Sequence, residues 1–257
     1  MAPTVVTGSA SGIGAATCET LRKQGREVLG VDLHDADVVA DLSTSDGRRA
    51  AVDGVLERSG GVLDGAALCA GLGPHVDDAR RIVAVNYFGA LALLDGILPA
   101  LRRGTDPAAV VVSSVSSTQL PWSDNPLAEV LGSGDESAVD DALAVGGEYR
   151  GQLAYAGSKN ALTVAVRRRV SDWGAAGVRL NTVAPGSVET PLLEAGMRDE
   201  RYGQAIRDFV APISRHARPD EIASLIGYLM GENAGFIHGA QFVIDGGVDA
   251  LLRPTAF

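Results

Sequence analysis

Short apolar runs rich in valine, alanine and glycine alternate along the chain with longer runs whose apolar positions recur every three or four residues. The first kind of run suits a strand buried on both faces, and the second an amphipathic helix. The alternation persists from end to end and predicts βα units wound into a parallel sheet. Strands are expected at about Thr4–Gly8, Glu27–Val31, Val38–Ala40, Gly65–Cys69, Ala109–Val112, Val178–Val183 and Gln241–Ile244. Between them, helices are expected at about Gly12–Gln24, stopped by Gly25, at Thr44–Ser59, and as one long element over Asp78–Arg103. Another carries Tyr155 and runs to about Gly174, and Arg218-Pro219-Asp220-Glu221 opens a further one with proline just inside. The fold class is α/β, a doubly wound and mostly parallel sheet of about seven strands flanked by helices.

No repeat or linker breaks this pattern, so residues 1–257 are expected to form a single domain. The least regular stretch is an insertion at about 116–151, which holds Pro121, Trp122, Pro126 and two acidic pairs; parts near Pro126–Leu131 and Ser137–Val145 look helical. A formal charge of −10 argues against nucleic acid or an anionic membrane as partner. No apolar run is seen to reach bilayer length, and the chain enters its first strand almost at once. Neither membrane insertion nor a leader is therefore expected. Cys18 and Cys69 lack CxxC spacing and are expected to be buried free thiols, which fits a cytoplasmic setting. His34, His75, His216 and His238 are scattered, so no metal site is expected, and no G-x-S-x-G elbow supports a hydrolase.

The candidate chemistry starts at the first strand-to-helix turn, Gly8-Ser9-Ala10-Ser11-Gly12-Ile13-Gly14, after Thr7. Glycines there permit a tight turn and close approach, and the helix start offers N–H groups and a dipole to a pyrophosphate. Asp32 ends the second strand 18 residues after Gly14, near the spacing of the acid that holds a ribose 2′-hydroxyl. A carboxylate there repels a 2′-phosphate, and Leu33 and His34 offer no fixed positive charge, which favours NAD(H) over NADP(H). Ser113-Ser114 lies at the end of a central strand, where one hydroxyl could donate to a substrate carbonyl. Asn86 is polar within an apolar helix; it either satisfies a local kink or holds a water near a lysine. Tyr155 and Lys159, four apart on a helix, share one face, and an ammonium beside a phenol draws its pKa toward the working range. By itself such a pair is common on solvated helices.

Together, Thr7–Gly14, Asp32, Asp41-Leu42, Cys69-Ala70-Gly71, Asn86, Ser114, Tyr155-Ala156-Gly157-Ser158-Lys159, Asn181 and Pro185-Gly186 leading to Thr190 resemble the short-chain dehydrogenase/reductase family. The likeness implies a Rossmann-type fold and hydride transfer between NAD(H) and a secondary alcohol or ketone. It implies Tyr155 as general acid/base, Lys159 as its modulator and ribose ligand, Ser114 as orienter of the substrate oxygen and Asn86 as support for a proton relay. It also implies adenine contacts at Asp41 and Leu42, a ribose contact at Gly71, and a carboxamide contact through Val188 and Thr190. Where the family carries Asn-Asn-Ala-Gly, this chain has Leu68-Cys69-Ala70-Gly71. Gly71 and Asn86 are 15 apart, shorter than usual in the family, and Ser114 and Tyr155 are 41 apart, longer than usual.

These two departures, with Cys69–Pro74 and the ending Arg253–Phe257, resemble the bacterial 3α-hydroxysteroid dehydrogenase/carbonyl reductase group. That likeness implies an apolar alcohol or ketone such as a steroid as substrate. The segment at about 187–215, with Leu192, Leu193, Met197, Ile206 and Phe209, reads as a substrate lid or as surface helices. The insertion is expected to obstruct an oligomer contact common in the family and leave a homodimer. The alternatives are an enzyme for another alcohol, such as a cyclic diol or an oxoacyl compound, and a non-catalytic NAD(H)-sensing protein.

Overall fold

Valine and alanine dominate the strands because both faces of the sheet are covered, leaving no side for polar alternation. The computed structural model describes residues 1–208 and 210–256; Phe209 and Phe257 lie outside the described residues. In chain order the elements are β1 (Thr4–Thr7), α1 (Gly12–Lys23), β2 (Val28–Asp32), β3 (Val38–Val39), α2 (Ser45–Arg58) and β4 (Gly65–Leu68). They continue with α3 (Ala79–Val83), α4 (Ala90–Leu101), β5 (Ala108–Val112), α5 (Ala128–Ser133), α6 (Val139–Leu143), α7 (Arg150–Arg168) and α8 (Val170–Ala175). The last are β6 (Arg179–Pro185), α9 (Pro191–Arg198), α10 (Gly203–Asp208), α11 (Pro219–Leu229), β7 (Gln241–Ile244) and α12 (Val248–Leu252).

One seven-stranded sheet runs β3-β2-β1-β4-β5-β6-β7, and all its pairings are parallel, not merely most of them. Successive strand residues point to opposite faces. Val5, Ala66, Ala109 and Val111 join one buried cluster with α2, α4 and α7. Val6, Ala67, Val110 and Val112 join the other, with α1 and α11. The chain leaves β1 for β2 on one side and returns to β4 on the other. The crevice of such a sheet lies at this reversal, outside the carboxyl ends of the strands.

Three expectations need correction. The helix expected over Asp78–Arg103 is not uniform: a π-turn, Ala84–Gly89, separates α3 from α4. Apolar spacing hardly registers one extra residue in a turn, so the sequence pattern reads straight through it. α3 and the π-turn pack against α7, whereas α4 packs against α2. Second, Ala79–Leu101 as a whole is long and apolar enough to cross a bilayer. Its apolar side chains Ile82, Val83, Leu93, Leu94, Ile97 and Leu101 are instead buried in the protein core. Third, the helix through Tyr155 ends at Arg168 and resumes as α8, with Arg169 between them held by Asp95 at 2.7 Å.

The insertion folds back on the core. Leu127, Leu131, Val139 and Leu143 are buried, and the Tyr87 hydroxyl donates to the carbonyl of Leu131 at 2.7 Å. Asn160 on α7 donates to the carbonyls of Ser117 and Leu120, at 3.0 and 2.8 Å. Arg48 on α2 pairs with Glu136 at 2.8 Å while stacking over Phe88.

Candidate active site

The turn after β1 needs its glycines. Gly8 and Gly12 have φ of +68° and +53°, which side chains other than glycine rarely adopt. A Cβ on Gly8 would lie 2.9 Å from the backbone nitrogen of Ala70, and one on Gly14 would lie 2.0 Å from the carbonyl oxygen of Gly8. Ser11 makes no side-chain cap to α1, and no acid stands in its first turn. Its first N–H groups thus face the crevice uncapped, as a pyrophosphate requires. The residues present fit a dinucleotide.

Asp32, at the end of β2, accepts from the backbone N–H of Ala10 at 2.9 Å and of Leu33 at 2.7 Å, so its carboxylate is held at the mouth beside the glycine turn. Asp41 accepts from the Ser43 N–H at 2.9 Å, and this contact with Ser43 holds its carboxyl below the usual range. Leu42 is buried beside it. After β4, Ala70 donates to the Thr7 hydroxyl at 3.1 Å, while Cys69 makes only a weak contact to Thr17. Cys18 is buried, as expected, but Cys69 is only partly covered and borders the crevice. Burial nonetheless pushes its thiol up to about 12.

On β5 the two serines have separate tasks. Ser113 turns inward to the Thr163 hydroxyl at 2.8 Å and donates to the Lys159 carbonyl at 3.1 Å, tying β5 to α7. Ser114 accepts from the Ser116 N–H at 3.2 Å and stands beside Tyr155, whose ionised form its hydroxyl favours. Lys159 is 4% exposed and donates to the carbonyl of Val112 at 2.8 Å. Burial pushes its ammonium down to about 8, with a small opposing effect from Cys69.

The phenol of Tyr155 is pushed upward by burial, against which the Ser114 hydroxyl pulls. The expected downward pull of Lys159 is therefore not the outcome here. Burial governs the phenol, and the Lys159 ammonium is turned to the Val112 carbonyl instead. Asn86 is fully buried and spends its amide on Leu72: Oδ1 accepts at 2.8 Å and Nδ2 donates at 3.0 Å. A Cβ on Gly71 would meet Asn86 Oδ1 at 3.2 Å and Lys159 Nζ at 3.4 Å, so these groups close on one small residue.

Thr190 caps α9 through Leu193 at 3.2 Å and donates to the Val188 carbonyl at 3.1 Å. Val188 is buried and bridges to Ala217. The cleft joining all these groups measures about 620 Å³. Gly8, Ser11, Gly12, Ile13, Gly14, Asp32, Asp41, Leu42, Gly71, Ser114, Tyr155, Lys159, Val188 and Thr190 line it, whereas Ser9, Ala10 and Asn86 do not. From the lid segment, Leu192, Leu193 and Ile206 border it, and Met197 does not.

Sequence reasoning missed Gln119, Gln152, His75 and Tyr202 in the same lining. In the sequence His75 is one of four scattered histidines, and Tyr202 sits in the lid run between the aliphatic positions Met197 and Ile206. No sequence signal marks them: Tyr202 follows Asp199, Glu200 and Arg201, Gln119 follows Ser116, Ser117 and Thr118, and His75 stands two residues before the Asp77-Asp78 pair.

Residues 3–125 match the family described as short chain dehydrogenase, and residues 138–249 match Enoyl-(Acyl carrier protein) reductase. The chain is 54% identical to the 3-alpha-hydroxysteroid dehydrogenase/carbonyl reductase of Comamonas testosteroni over 98% of each chain. It is 32% identical to a coniferyl-alcohol dehydrogenase from a Pseudomonas species over 95% of each. The crystal structure of the 3-alpha-hydroxysteroid dehydrogenase from Pseudomonas sp. B-0831 complexed with NADH superposes with a TM-score of 0.95, at 51% identity and covering 99% of both chains. The seven-stranded parallel sheet, the glycine turn and these matches place the chain in the short-chain dehydrogenase family.

Proposed function

We propose that this protein is an NAD(H)-dependent enzyme that interconverts 3α-hydroxysteroids with 3-oxosteroids and reduces other apolar carbonyl compounds. The observation that carries the reading is the single cleft that joins Ser114, Tyr155 and Lys159 to the glycine turn beneath apolar Leu192 and Ile206. The 54% identity to a 3-alpha-hydroxysteroid dehydrogenase/carbonyl reductase supports the substrate class, and the NADH-bound neighbour supports the cofactor.

When bound, a nicotinamide supplies or accepts the hydride. Gly8–Gly14 hold its pyrophosphate, and Asp32 binds the adenosine ribose and repels a 2′-phosphate. Asp41 and Leu42 flank the adenine, Gly71 the ribose, and Val188 and Thr190 the carboxamide. At the reacting end, the Tyr155 hydroxyl delivers its proton to the carbonyl oxygen as it becomes an alcohol, and takes it back in the reverse direction. Ser114 donates to the same oxygen, and the Lys159 ammonium adds positive charge near the developing alkoxide. Asn86 holds the Leu72 loop against this group.

Turnover of a 3α-hydroxysteroid, its 3β epimer and simple cyclic ketones, each with both nicotinamide cofactors, tests the assignment. The 3α epimer and NAD(H) are each expected to win by about tenfold or more in kcat/KM. Equal use of the epimers would sink the steroid assignment, and activity confined to small cyclic alcohols would favour the cyclic-diol reading.

The oligomer belongs to the same proposal. The insertion covers part of α7 and α3, while Phe236, Val243, Leu251 and Leu252 are exposed near the sheet's β7 edge. These apolar groups support a homodimer built on that edge. Sedimentation is expected to give twice the 26.4 kDa chain mass, and a tetramer would count against it. Two free cysteines support a reducing, cytoplasmic location.

A further inference from the structure

Two buried polar atoms on the lid side of the cleft have no hydrogen-bond partner among the described residues: Tyr202 Oη and His75 Nδ1. Tyr202 is only 7% exposed, yet its side chain borders the cleft. Its hydroxyl lies 3.1 Å from where a Cβ on Gly151 would stand. Gly151 precedes Tyr155 by four residues on α7, or about 6 Å along the helix axis. The phenol of Tyr202 thus sits about one helical turn from the reacting tyrosine. His75 comes from the loop after β4, and its Nδ1 lies 3.7 Å from a Cβ position on Gly196 of α9.

One guanidinium sets both groups. Arg201 donates to the His75 carbonyl at 2.9 Å and lies over the Tyr202 ring at 5.2 Å. Its charge is answered by Asp199 at 2.8 Å and Asp77 at 3.0 Å. A buried hydroxyl left unpaired costs stability, and phenylalanine would fill the same space without that cost. The tyrosine oxygen and the imidazole nitrogen are therefore unspent hydrogen-bonding groups on two side chains that border the cleft.

We propose that Tyr202 and His75 form a second polar subsite, which hydrogen-bonds an uncharged oxygen, a hydroxyl or ketone, on the end of the substrate remote from the reacting carbon. This rests on the function proposed above and names the second recognition feature of its substrate. Burial pushes the His75 imidazole below its ordinary value, against the pull of Asp199, which keeps it neutral at neutral pH. With Arg201 already paired, the subsite offers neutral hydrogen bonds and no free cation, and so selects against a carboxylate.

The test compares matched ring ketones, identical except for a distal hydroxyl or ketone, in wild type, Tyr202→Phe and His75→Leu. The wild type is expected to prefer the doubly oxygenated member. Tyr202→Phe is expected to cut that preference in kcat/KM by about tenfold, mainly through KM, with His75→Leu acting in the same direction. A merely structural role would lower both members together and leave their ratio intact, which would overturn the subsite. A wild type active on ketones but indifferent to the distal oxygen would also overturn it and leave the proposed function standing. No ketone turnover at all would overturn the function itself.

Discussion

Tyr155→Phe is expected to lower kcat by about a thousandfold or more while changing NADH affinity by less than about threefold. The substitution removes one oxygen and keeps the ring, so the packing around α7 survives. What is lost is the proton that the carbonyl oxygen must receive, together with the donor that works beside Ser114. Because burial lifts the phenol above its usual value, it stays protonated through the neutral range. Ketone reduction, which needs the acid form, should therefore vary little with pH there. Alcohol oxidation, which needs the base form, should climb steadily toward alkaline pH. Single-turnover rates and fluorescence titration with NADH separate chemistry from binding. Retention of most activity by the variant would remove Tyr155 from its role.

Lys159→Met should show itself in two independent ways. Turnover is expected to fall about a hundredfold or more, since the variant lacks the ammonium close to the reacting oxygen. Stability should also change its dependence on pH. In the folded chain the amine titrates at about 8, against 10.5 for an unperturbed lysine, because it is buried. Between those values the unfolded chain binds more protons than the folded one, so wild-type stability rises with pH across that window. Below about 8 both states hold the proton, and the full cost of burying the charge is present. The gap corresponds to about 3 kcal/mol. Urea unfolding at pH 7, 8.5 and 10 should show wild type gaining up to that amount relative to the variant. Parallel curves for the two proteins would contradict a strongly depressed lysine.

The glycine turn was legible in the sequence because its function is a backbone property, and Gly8, Gly12 and Gly14 encode the backbone directly. Asp32 was legible because a strand fixes its distance from that turn. Tyr155 and Lys159 were legible as a pair because helical periodicity fixes i and i+4. The electrostatics between them were not, since the Val112 carbonyl and the surrounding burial arrive from another strand. Asn86 left two readings open, and its amide is bonded to Leu72, a partner that only the folded loop brings close. Tyr202 and His75 are far apart in the chain and converge through the lid, a pairing without a local pattern to announce it.

The π-turn at Ala84–Gly89 has a consequence for how this chain tolerates changes in length. Removing one residue there would let α3 and α4 fuse into a regular helix, a locally comfortable result. It would also rotate everything downstream by about 100°. Gly96, where a Cβ would already press on Val52 at 2.7 Å, would swing away from α2, and Leu93, Leu94 and Ile97 would leave their places in the core. The six residues are thus a phase shifter whose count matters more than its composition, and a deletion within them is more damaging than most substitutions.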